Sequence, residues 1–420
     1  MIGLARGGES HSPELSWCFD EVWTIMRPSL TVLLLLFALT GCQTYSSPTI
    51  DLLDTPFEKT RRGVVANQET PADPELPVLK TCDAAPLPPM GRSGQWNRIQ
   101  SRIASALMSP RHVLNDILAT GEDDVIIRGK FGHGSVVKDL EHEEVELWFD
   151  DCSGSFQKMA VVETDDEGMI SYRWPAEDLP PYGMYRVYAR VVADGTDTIA
   201  NFRLLPRGTR LVVYDIDGTL TSGDGEVWKD LIADRLRPVG VNDYVPRLRS
   251  GAEEVTRHRA FNEGYISVYL TGRLYWMWQR TRHWMTTSRL APGHLEMAPD
   301  WGSWLPSKGG VGEFKADFLT HLRDQGFEID IFYGNTRTDS WAYAHDLATT
   351  PQIFLFEDGE EIPSGANGRI LQEDYRDHLI RLQRQEQGAV EQPFQFSACP
   401  NIPAKVCELD LMYSQESRHH

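Results

Sequence analysis

The chain has 420 residues, of which 41% are hydrophobic and 24% are charged. At about 150 residues per domain this length predicts two or three domains, and the apolar fraction excludes wholesale disorder. Acidic residues outnumber basic ones by 61 to 41, which gives a net charge of −20 at pH 7. Because an acidic surface repels polyanions, the composition argues against nucleic-acid binding.

The most apolar stretch, residues 30–40, is shorter than the roughly 20 residues that span a bilayer. It has the length of a signal-peptide core, and residues 39–42 (LTGC) resemble the lipobox of bacterial lipoproteins. The resemblance implies that residues 1–41 are a signal peptide and that Cys42 carries the lipid. We expect translation to start at Met26, because four acids before it do not suit a signal peptide.

The residue after the lipidated cysteine is Gln43, which by resemblance to enterobacterial lipoproteins implies a periplasm-facing outer-membrane location. An even number of remaining cysteines in an exported protein favours disulfides, although four buried free thiols are the alternative. Three pairings are open for Cys82, Cys152, Cys399 and Cys407.

The hydrophobic pattern changes along the mature chain. A segment rich in Pro, Thr, Asp and Glu precedes a helical pattern marked by Ile99, Ile103 and Leu107 and continued by Val113, Ile117 and Leu118. Alternation with a period of two follows, and short β-rich runs then alternate with helical ones, as in a parallel sheet covered by helices. The predicted division is a tether (42–95), a helical lead-in (96–121), an immunoglobulin-like β-sandwich (122–207), an α/β domain (208–388) and a tail (389–420).

The most informative run is residues 211–220, LVVYDIDGTL. Asp215 and Asp217 leave the end of an apolar strand on the same side and lead into a glycine turn. Two neighbouring carboxylates repel each other unless a cation or a proton intervenes. A hard cation such as Mg²⁺ takes oxygen ligands, so the run predicts a magnesium site.

This run resembles motif one of the haloacid dehalogenase superfamily, and further segments match the other motifs in order. Residues 265–273 form an apolar strand that ends in TGR, the place of motif two. Lys315, within FKADFL, holds the place of motif three, although Lys308 is a competitor. Residues 331–339, IFYGNTRTD, hold the place of motif four, with Asn335 where many relatives have Asp. The implied fold is a Rossmann-like core preceded by a small all-β domain.

The resemblance also implies roles. Asp215 would attack phosphorus, Asp217 would act as general acid and then base, and Thr271 and Lys315 would stabilise the transferring phosphoryl group. The phosphate-binding residues would be Gly218, Thr219, Gly272 and Arg273. The Mg²⁺ ligands would be Asp215, the Asp217 carbonyl, Asn335 and Asp339.

Within the superfamily, DIDGTLT at residues 215–221 and the KADFL run look most like the lipin catalytic domain and the related domain of phosphatidylinositol-transfer proteins. This resemblance implies a membrane-anchored, Mg²⁺-dependent phosphatase that converts phosphatidic acid to diacylglycerol. The alternatives are a phosphatase of soluble organic phosphates and a non-catalytic phosphatidic-acid-binding module. The protein partner of the sandwich stays open.

Five of the twelve tryptophans lie within 29 residues between motifs two and three. Amphipathic aromatic side chains suit a membrane interface or a lipid-headgroup pocket, and structural packing is the competing interpretation. The five are Trp276, Trp278, Trp284, Trp301 and Trp304.

Overall fold

The computed structural model describes residues 77–81, 88, 91, 94–134, 138–151, 153–223, 245–299, 308–345, 351–356, 362, 364, 366–372, 374–385 and 389–396. All of them belong to one compact unit that extends from Val64 to Ser414. The predicted signal peptide lies outside the described residues. So do Cys42, Cys82, Cys152, Cys399, Cys407, Trp301 and Trp304.

Short strands build a β-sandwich in the first part of this unit. Its strands are β1 (Val78–Thr81), β2 (Val113–Leu114), β3 (Ile117–Ala119), β4 (Val125–Lys130), β5 (Gly132–His133), β6 (Lys138–Asp139), β7 (Glu144–Asp150), β8 (Phe156–Glu163), β9 (Met169–Trp174), β10 (Gly183–Val191) and β11 (Asp197–Leu204). One sheet contains β1, β3, β7, β8, β10 and β11, and a second contains β2, β4 and β9. On β4, buried residues alternate with exposed ones, as expected for a strand with one face on a core.

The lead-in differs from its prediction. Helix α1 is confined to Ile99–Leu107, and the apolar residues after it lie on β2 and β3 instead. The helix buries Ser101 and Ala104 and leaves Ile99, Ile103 and Leu107 at 69%, 53% and 78% exposure. An amphipathic periodicity predicts that the apolar face of the helix packs on the core, and here that face is exposed instead.

The segments predicted as tether and tail also contribute strands. Strand β1 lies in the predicted tether, and β18 (Gln395–Phe396) lies in the predicted tail. The two pair in parallel with each other, and β1 also pairs with β10. Strands this short carry almost no sequence signal, because their pairing is made by partners far away in the chain.

In the described residues of the second domain, six parallel strands form the sheet of an α/β core. They are β12 (Arg210–Tyr214), β13 (Ile266–Leu274), β14 (Gly293–Ala298), β15 (Glu328–Gly334), β16 (Gln352–Phe356) and β17 (Asn367–Leu371). Their order is β14-β13-β12-β15-β16-β17, and every neighbouring pair is parallel. In this doubly wound order the direction of winding reverses between β12 and β15, which is where such sheets bind ligands.

Helices cover both faces of this sheet: α2 (Ala252–Phe261), α3 (Trp278–Thr287), α4 (Glu313–Asp324), α5 (Arg337–Ala344) and α6 (Arg376–Arg384). Side chains alternate along β12. Val212 and Tyr214 pack in a cluster with residues of α2, α3 and α6, whereas Leu211 and Val213 pack in a cluster with residues of α4 and α5. A strand covered on both faces must be apolar throughout, which explains the continuous run before Asp215.

A polar network is buried beneath this sheet. The Tyr333 hydroxyl lies 2.9 Å from His378 Nε2 and accepts a hydrogen bond of 3.0 Å from Arg259 Nε. Arg259 also pairs with Glu263 at 2.5 Å. Burial and the nearby Arg259 lower the pKa of His378 to about 3. His378 is therefore neutral in the folded protein.

This pKa predicts acid sensitivity. The unfolded chain protonates His378 near pH 6.5, but the folded chain does so only near pH 3, so stability falls as the pH drops through 6.5. From pH 7 to pH 5 a His378→Gln variant should lose about 2 kcal/mol less unfolding free energy than the wild type. Urea titrations at both pH values test this. The exposed His283→Gln control should match the wild type, and an equal loss in all three proteins would contradict the prediction.

Candidate active site

The site begins where β12 ends. Leu211, Val212, Val213 and Tyr214 are fully buried, and the backbone N–H of Asp215 donates to the Tyr333 carbonyl at 2.9 Å. This bond extends the pairing of β12 and β15 by one residue, so Asp215 is fixed at the point where the winding reverses. Its side chain is 6% exposed.

Lys315 connects this strand end with the end of β15. It lies on α4, its side chain is 2% exposed, and its Nζ donates to Asp215 Oδ1 at 2.5 Å and to Asp339 Oδ1 at 2.6 Å. Burial lowers the pKa of the Lys315 ammonium, but Asp215 and Asp339 raise it by more, so the group stays charged. The structure thus unites three residues that the motifs had placed 24 to 124 positions apart.

Asp339 is held by the first turn of α5. Its Oδ2 accepts bonds from the backbone N–H groups of Asn335 and Thr336, both at 3.1 Å, and from the Thr336 hydroxyl at 2.8 Å. Thr336 and Asp339 form a reciprocal capping box. One oxygen of Asp339 therefore caps α5. Its other oxygen accepts the hydrogen bond from Lys315.

The turn after Asp217 is stabilised from within. Gly218 has a φ of +78°, which only glycine adopts without strain, and its N–H donates to the Thr221 hydroxyl at 2.9 Å. The Thr219 hydroxyl donates to Asn335 Oδ1 at 3.0 Å, joining motif one to motif four. Arg249 donates to the carbonyls of Gly218 and Thr219. Arg249 was missed because it stands in no recognisable motif, and Thr221 belongs to the DIDGTLT run but was given no role there.

Motif two lies on β13, which pairs with β12 on the side opposite β15, and it contacts Asp217. Thr271 is fully buried, and its hydroxyl lies 3.4 Å from Asp217 Oδ2. A Cβ on Gly272 would come within 2.8 Å of Val311, so the absence of a side chain lets the segment before α4 approach. This close approach brings the helix that carries Lys315 beside motif two.

Arg273, which the resemblance predicts to bind phosphate, contacts Asp217 in this structure. Its Nε and Nη2 donate to Asp217 Oδ2 and Oδ1 at 2.9 and 2.7 Å, and its side chain is fully buried. Nη1 donates to the Thr281 hydroxyl at 3.2 Å, and the guanidinium lies 5.4 Å from the Trp284 ring. The residue predicted to bind phosphate is thus a partner of the predicted general acid.

The electrostatics of Asp215 follow from its burial. Burial raises the pKa of the Asp215 carboxyl, and the nearby Asp339 and Asp217 raise it further, whereas the Lys315 ammonium opposes the shift. The net direction is above the ordinary value of an aspartate. Additional positive charge at this place would therefore stabilise the ionised form, which is the nucleophilic one.

The residues at the strand ends fit Mg²⁺ by their chemistry. Across the part of the chain that the structure describes, no group of three or more His, Cys, Asp or Glu side chains forms a metal centre. The donor set would be mixed: carboxylates of Asp215 and Asp339, the amide oxygen of Asn335 and the backbone carbonyl of Asp217. All are hard oxygen ligands of the kind that Mg²⁺ prefers, and the two carboxylates already share one cationic group.

The tryptophan-rich segment is structural where it is described. Trp278 and Trp284 lie in the core of the α/β domain, and the Trp284 indole donates to the Pro246 carbonyl at 2.8 Å. Trp276 is partly buried against the same core. These three side chains pack the region of α3 rather than form an exposed aromatic surface.

Two family models match the chain in the order of its two parts. The β-sandwich domain of the PITM 1-3 family matches residues 110–204. Residues 212–357 match the LNS2 domain of the same family. The LNS2 domain is haloacid-dehalogenase-like, so the fold predicted from the motifs, an α/β core behind an all-β sandwich, is confirmed.

Three relatives have similar sequences. Protein retinal degeneration B of Drosophila melanogaster is 26% identical over 69% of this chain and 21% of its own length. The human membrane-associated phosphatidylinositol transfer proteins 3 and 2 are each 26% identical, over 72% and 62% of this chain and 29% and 18% of their own lengths. The chain thus spans less than a third of these curated relatives. The names of the two human relatives refer to membranes and to phosphatidylinositol transfer.

A likeness among solved structures is too weak to carry an argument. The sensor domain of the anti-sigma factor RsgI4 from Pseudobacteroides cellulosolvens covers 23% of this chain with a TM-score of 0.19 and 15% identity. As for crossing a bilayer, none of the helices in the described ranges has the length and hydrophobicity that this requires.

Proposed function

We propose that this chain is a Mg²⁺-dependent phosphomonoester hydrolase of membrane lipids, which converts phosphatidic acid to diacylglycerol and inorganic phosphate. One observation carries the proposal: the Asp215 carboxylate stands at the winding reversal of the sheet, 2.5 Å from the buried ammonium of Lys315. A nucleophile of this kind needs fixed positive charge to receive a dianionic phosphoryl group.

Each residue has a defined task in this proposal. An Asp215 oxygen attacks phosphorus, the bond from phosphorus to the ester oxygen breaks, and Asp217 gives that oxygen a proton. Asp217 then takes a proton from water, whose oxygen attacks the aspartyl-phosphate and releases inorganic phosphate. Lys315 stabilises the charge on the phosphoryl oxygens, and Thr271 donates to them. Bound Mg²⁺ would supply further positive charge, held by Asp215, Asp217, Asn335 and Asp339.

A second candidate function is lipid binding without turnover. It is favoured by the bidentate pair between Arg273 and Asp217, because the two guanidinium donors occupy both oxygens of the carboxylate that would transfer the proton. The names of the relatives, which describe phosphatidylinositol transfer, point in the same direction. Under the hydrolase proposal, this pair has to loosen when substrate arrives.

The proposed cellular setting is a membrane surface. A lipid on Cys42 would place the protein at the periplasm-facing outer membrane and keep the LNS2-like domain near a phospholipid substrate. The net charge of −20 argues against attachment by broad electrostatic attraction to anionic lipid. The site itself holds two buried cationic side chains, Lys315 and Arg273, which are paired with its aspartates.

Phosphate release separates these functions. The full-length protein is assayed with phosphatidic acid in mixed micelles and with glycerol 3-phosphate, each in Mg²⁺ or in chelator. We expect release from phosphatidic acid that requires Mg²⁺ and exceeds release from the soluble ester. Turnover of the soluble ester alone would favour the soluble-phosphate alternative. Selective sedimentation with phosphatidic-acid vesicles, without any turnover, would favour the binding module.

A further inference from the structure

A buried carboxylate of the sandwich reaches into the α/β domain. Asp116 lies between β2 and β3, and its side chain is fully buried. Its Oδ1 accepts from the backbone N–H of Asn201 within the sandwich at 2.9 Å. Its Oδ2 accepts from the side chain of Arg282 on α3 and from the backbone N–H of Leu295 on β14 at 3.1 Å. The Asp116 side chain is thus hydrogen-bonded to α3 and β14 of the LNS2-like domain as well as to the sandwich.

Helix α3, whose Arg282 pairs with Asp116, also contacts Arg273. Arg282 is flanked on α3 by Thr281, which accepts from Arg273 Nη1, and by Trp284, whose ring lies beside the Arg273 guanidinium. Residues 281 and 284 are one turn apart and share a face of the helix, whereas residue 282 points about 100° away from residue 281 and about 160° away from residue 284. Helix α3 therefore lies between the sandwich carboxylate on one side and the partner of Asp217 on the other.

We propose that Asp116 is a positioning residue, through which the β-sandwich sets the place of Arg273 and hence of Asp217. The chain of contacts runs from Asp116 to Arg282, along one turn of α3 to Thr281 and Trp284, then to Arg273 and Asp217. The inference rests on the proposed hydrolase function. It makes the sandwich part of the catalytic machinery rather than a separate interaction module.

The charge balance around Asp116 supports a fixed geometry. Burial raises the pKa of the Asp116 carboxyl, but Arg282 and Arg203 lower it by more, so the net shift is downward. The Arg203 guanidinium lies 3.8 Å away on the sandwich side. The Trp278 ring lies 4.6 Å from the Arg282 guanidinium and restricts it further. A buried group engaged on all these sides has little freedom to adopt a second arrangement.

The test compares two substrates that differ in their need for a general acid. An alkyl phosphate needs a proton on its leaving oxygen, whereas 4-nitrophenolate leaves without one. If Asp116 positions Asp217 through α3, Asp116→Asn should lower kcat/KM about 30-fold for phosphatidic acid and less than 3-fold for 4-nitrophenyl phosphate. This ratio reports the steps up to departure of the leaving group and excludes the later hydrolysis of the aspartyl-phosphate, which both substrates share. The matched control is Asp194→Asn, a buried sandwich acid bonded to Ser105 and Thr196 rather than to α3. It should stay within 2-fold of wild type on both substrates.

A folding control and a second variant distinguish loss of positioning from loss of folding. Thermal unfolding shows whether each protein is folded, and if Asp116→Asn is not, Arg282→Gln breaks the same link from the helix side. Equal losses on both substrates, or equal effects of the Asp116 and Asp194 changes, would overturn the inference while leaving the hydrolase intact. If the wild type shows no turnover, the hydrolase proposal fails instead. The positioning chain is then tested by sedimentation with phosphatidic-acid vesicles, where equal binding by the Asp116 and Asp194 variants would overturn it.

Discussion

An Asp215→Asn variant should lose phosphatase activity by a factor on the order of 10³ in kcat. The amide has the shape of the carboxylate but is a poor nucleophile, so the first bond to phosphorus does not form. We expect the variant to stay folded, because Lys315 keeps its 2.6 Å contact with Asp339. The measurement is phosphate release from phosphatidic acid under saturating substrate and Mg²⁺.

The matched control for this variant is Asp317→Asn. Asp317 lies on α4, two residues after Lys315, but is exposed. Its replacement removes the same charge without touching the strand ends, so activity should stay within 2-fold of wild type. Activity within tenfold of wild type in Asp215→Asn would rule out the covalent mechanism.

A Lys315→Met variant should be strongly destabilised in chelator, by about 3–5 kcal/mol of unfolding free energy. The reason is that its Nζ is the ammonium bonded to both Asp215 and Asp339, and removing it leaves two buried carboxylates without that partner. Urea unfolding in chelator measures the loss. Saturating Mg²⁺ should restore more stability to this variant than to the wild type, since the metal would replace the missing charge.

The control for the lysine is Lys138→Met. Lys138 is 41% exposed and pairs with the equally exposed Glu141, so its loss should change the unfolding free energy by at most about 0.5 kcal/mol. A second variant, Lys315→Met with Asp339→Asn, removes one of the stranded charges and should recover part of the lost stability. A Lys315→Met protein as stable as wild type in chelator would contradict the bridging role.

The α/β core was predictable because its signals are local. A strand covered on both faces needs an apolar run, and such runs stand before the motif residues at 211–214 in β12, 268–270 in β13 and 331–333 in β15. The edge strands β14 and β17 were not predicted. The exposed residues at the start of β17 resemble those of a loop, so its place in the sheet depends on pairing with β16.

Partners of the motif residues were harder to predict than the residues themselves. The motif located Arg273 in the sequence but did not predict which way its side chain points. The guanidinium points to Asp217 because it also donates to the Thr281 hydroxyl and packs on the Trp284 ring. Arg249 reaches the Gly218 carbonyl across 31 positions, with no spacing that would reveal it. Such contacts depend on how helices are placed on the sheet, which no short pattern encodes.

By itself the sequence determined the nature of the chain: an acidic, two-part protein with aspartates, a lysine and an asparagine in motif order at strand ends. Those features are local, because strand periodicity and turn chemistry act over a few residues. Only the tertiary structure decided that Lys315 bridges Asp215 and Asp339, and that Asp116 in the sandwich pairs with Arg282 beside the site. These paired side chains are 100, 24 and 166 positions apart, and they meet only when the packing of both domains is complete. The net charge of −20 likewise gave no hint of the cations buried at the proposed active site.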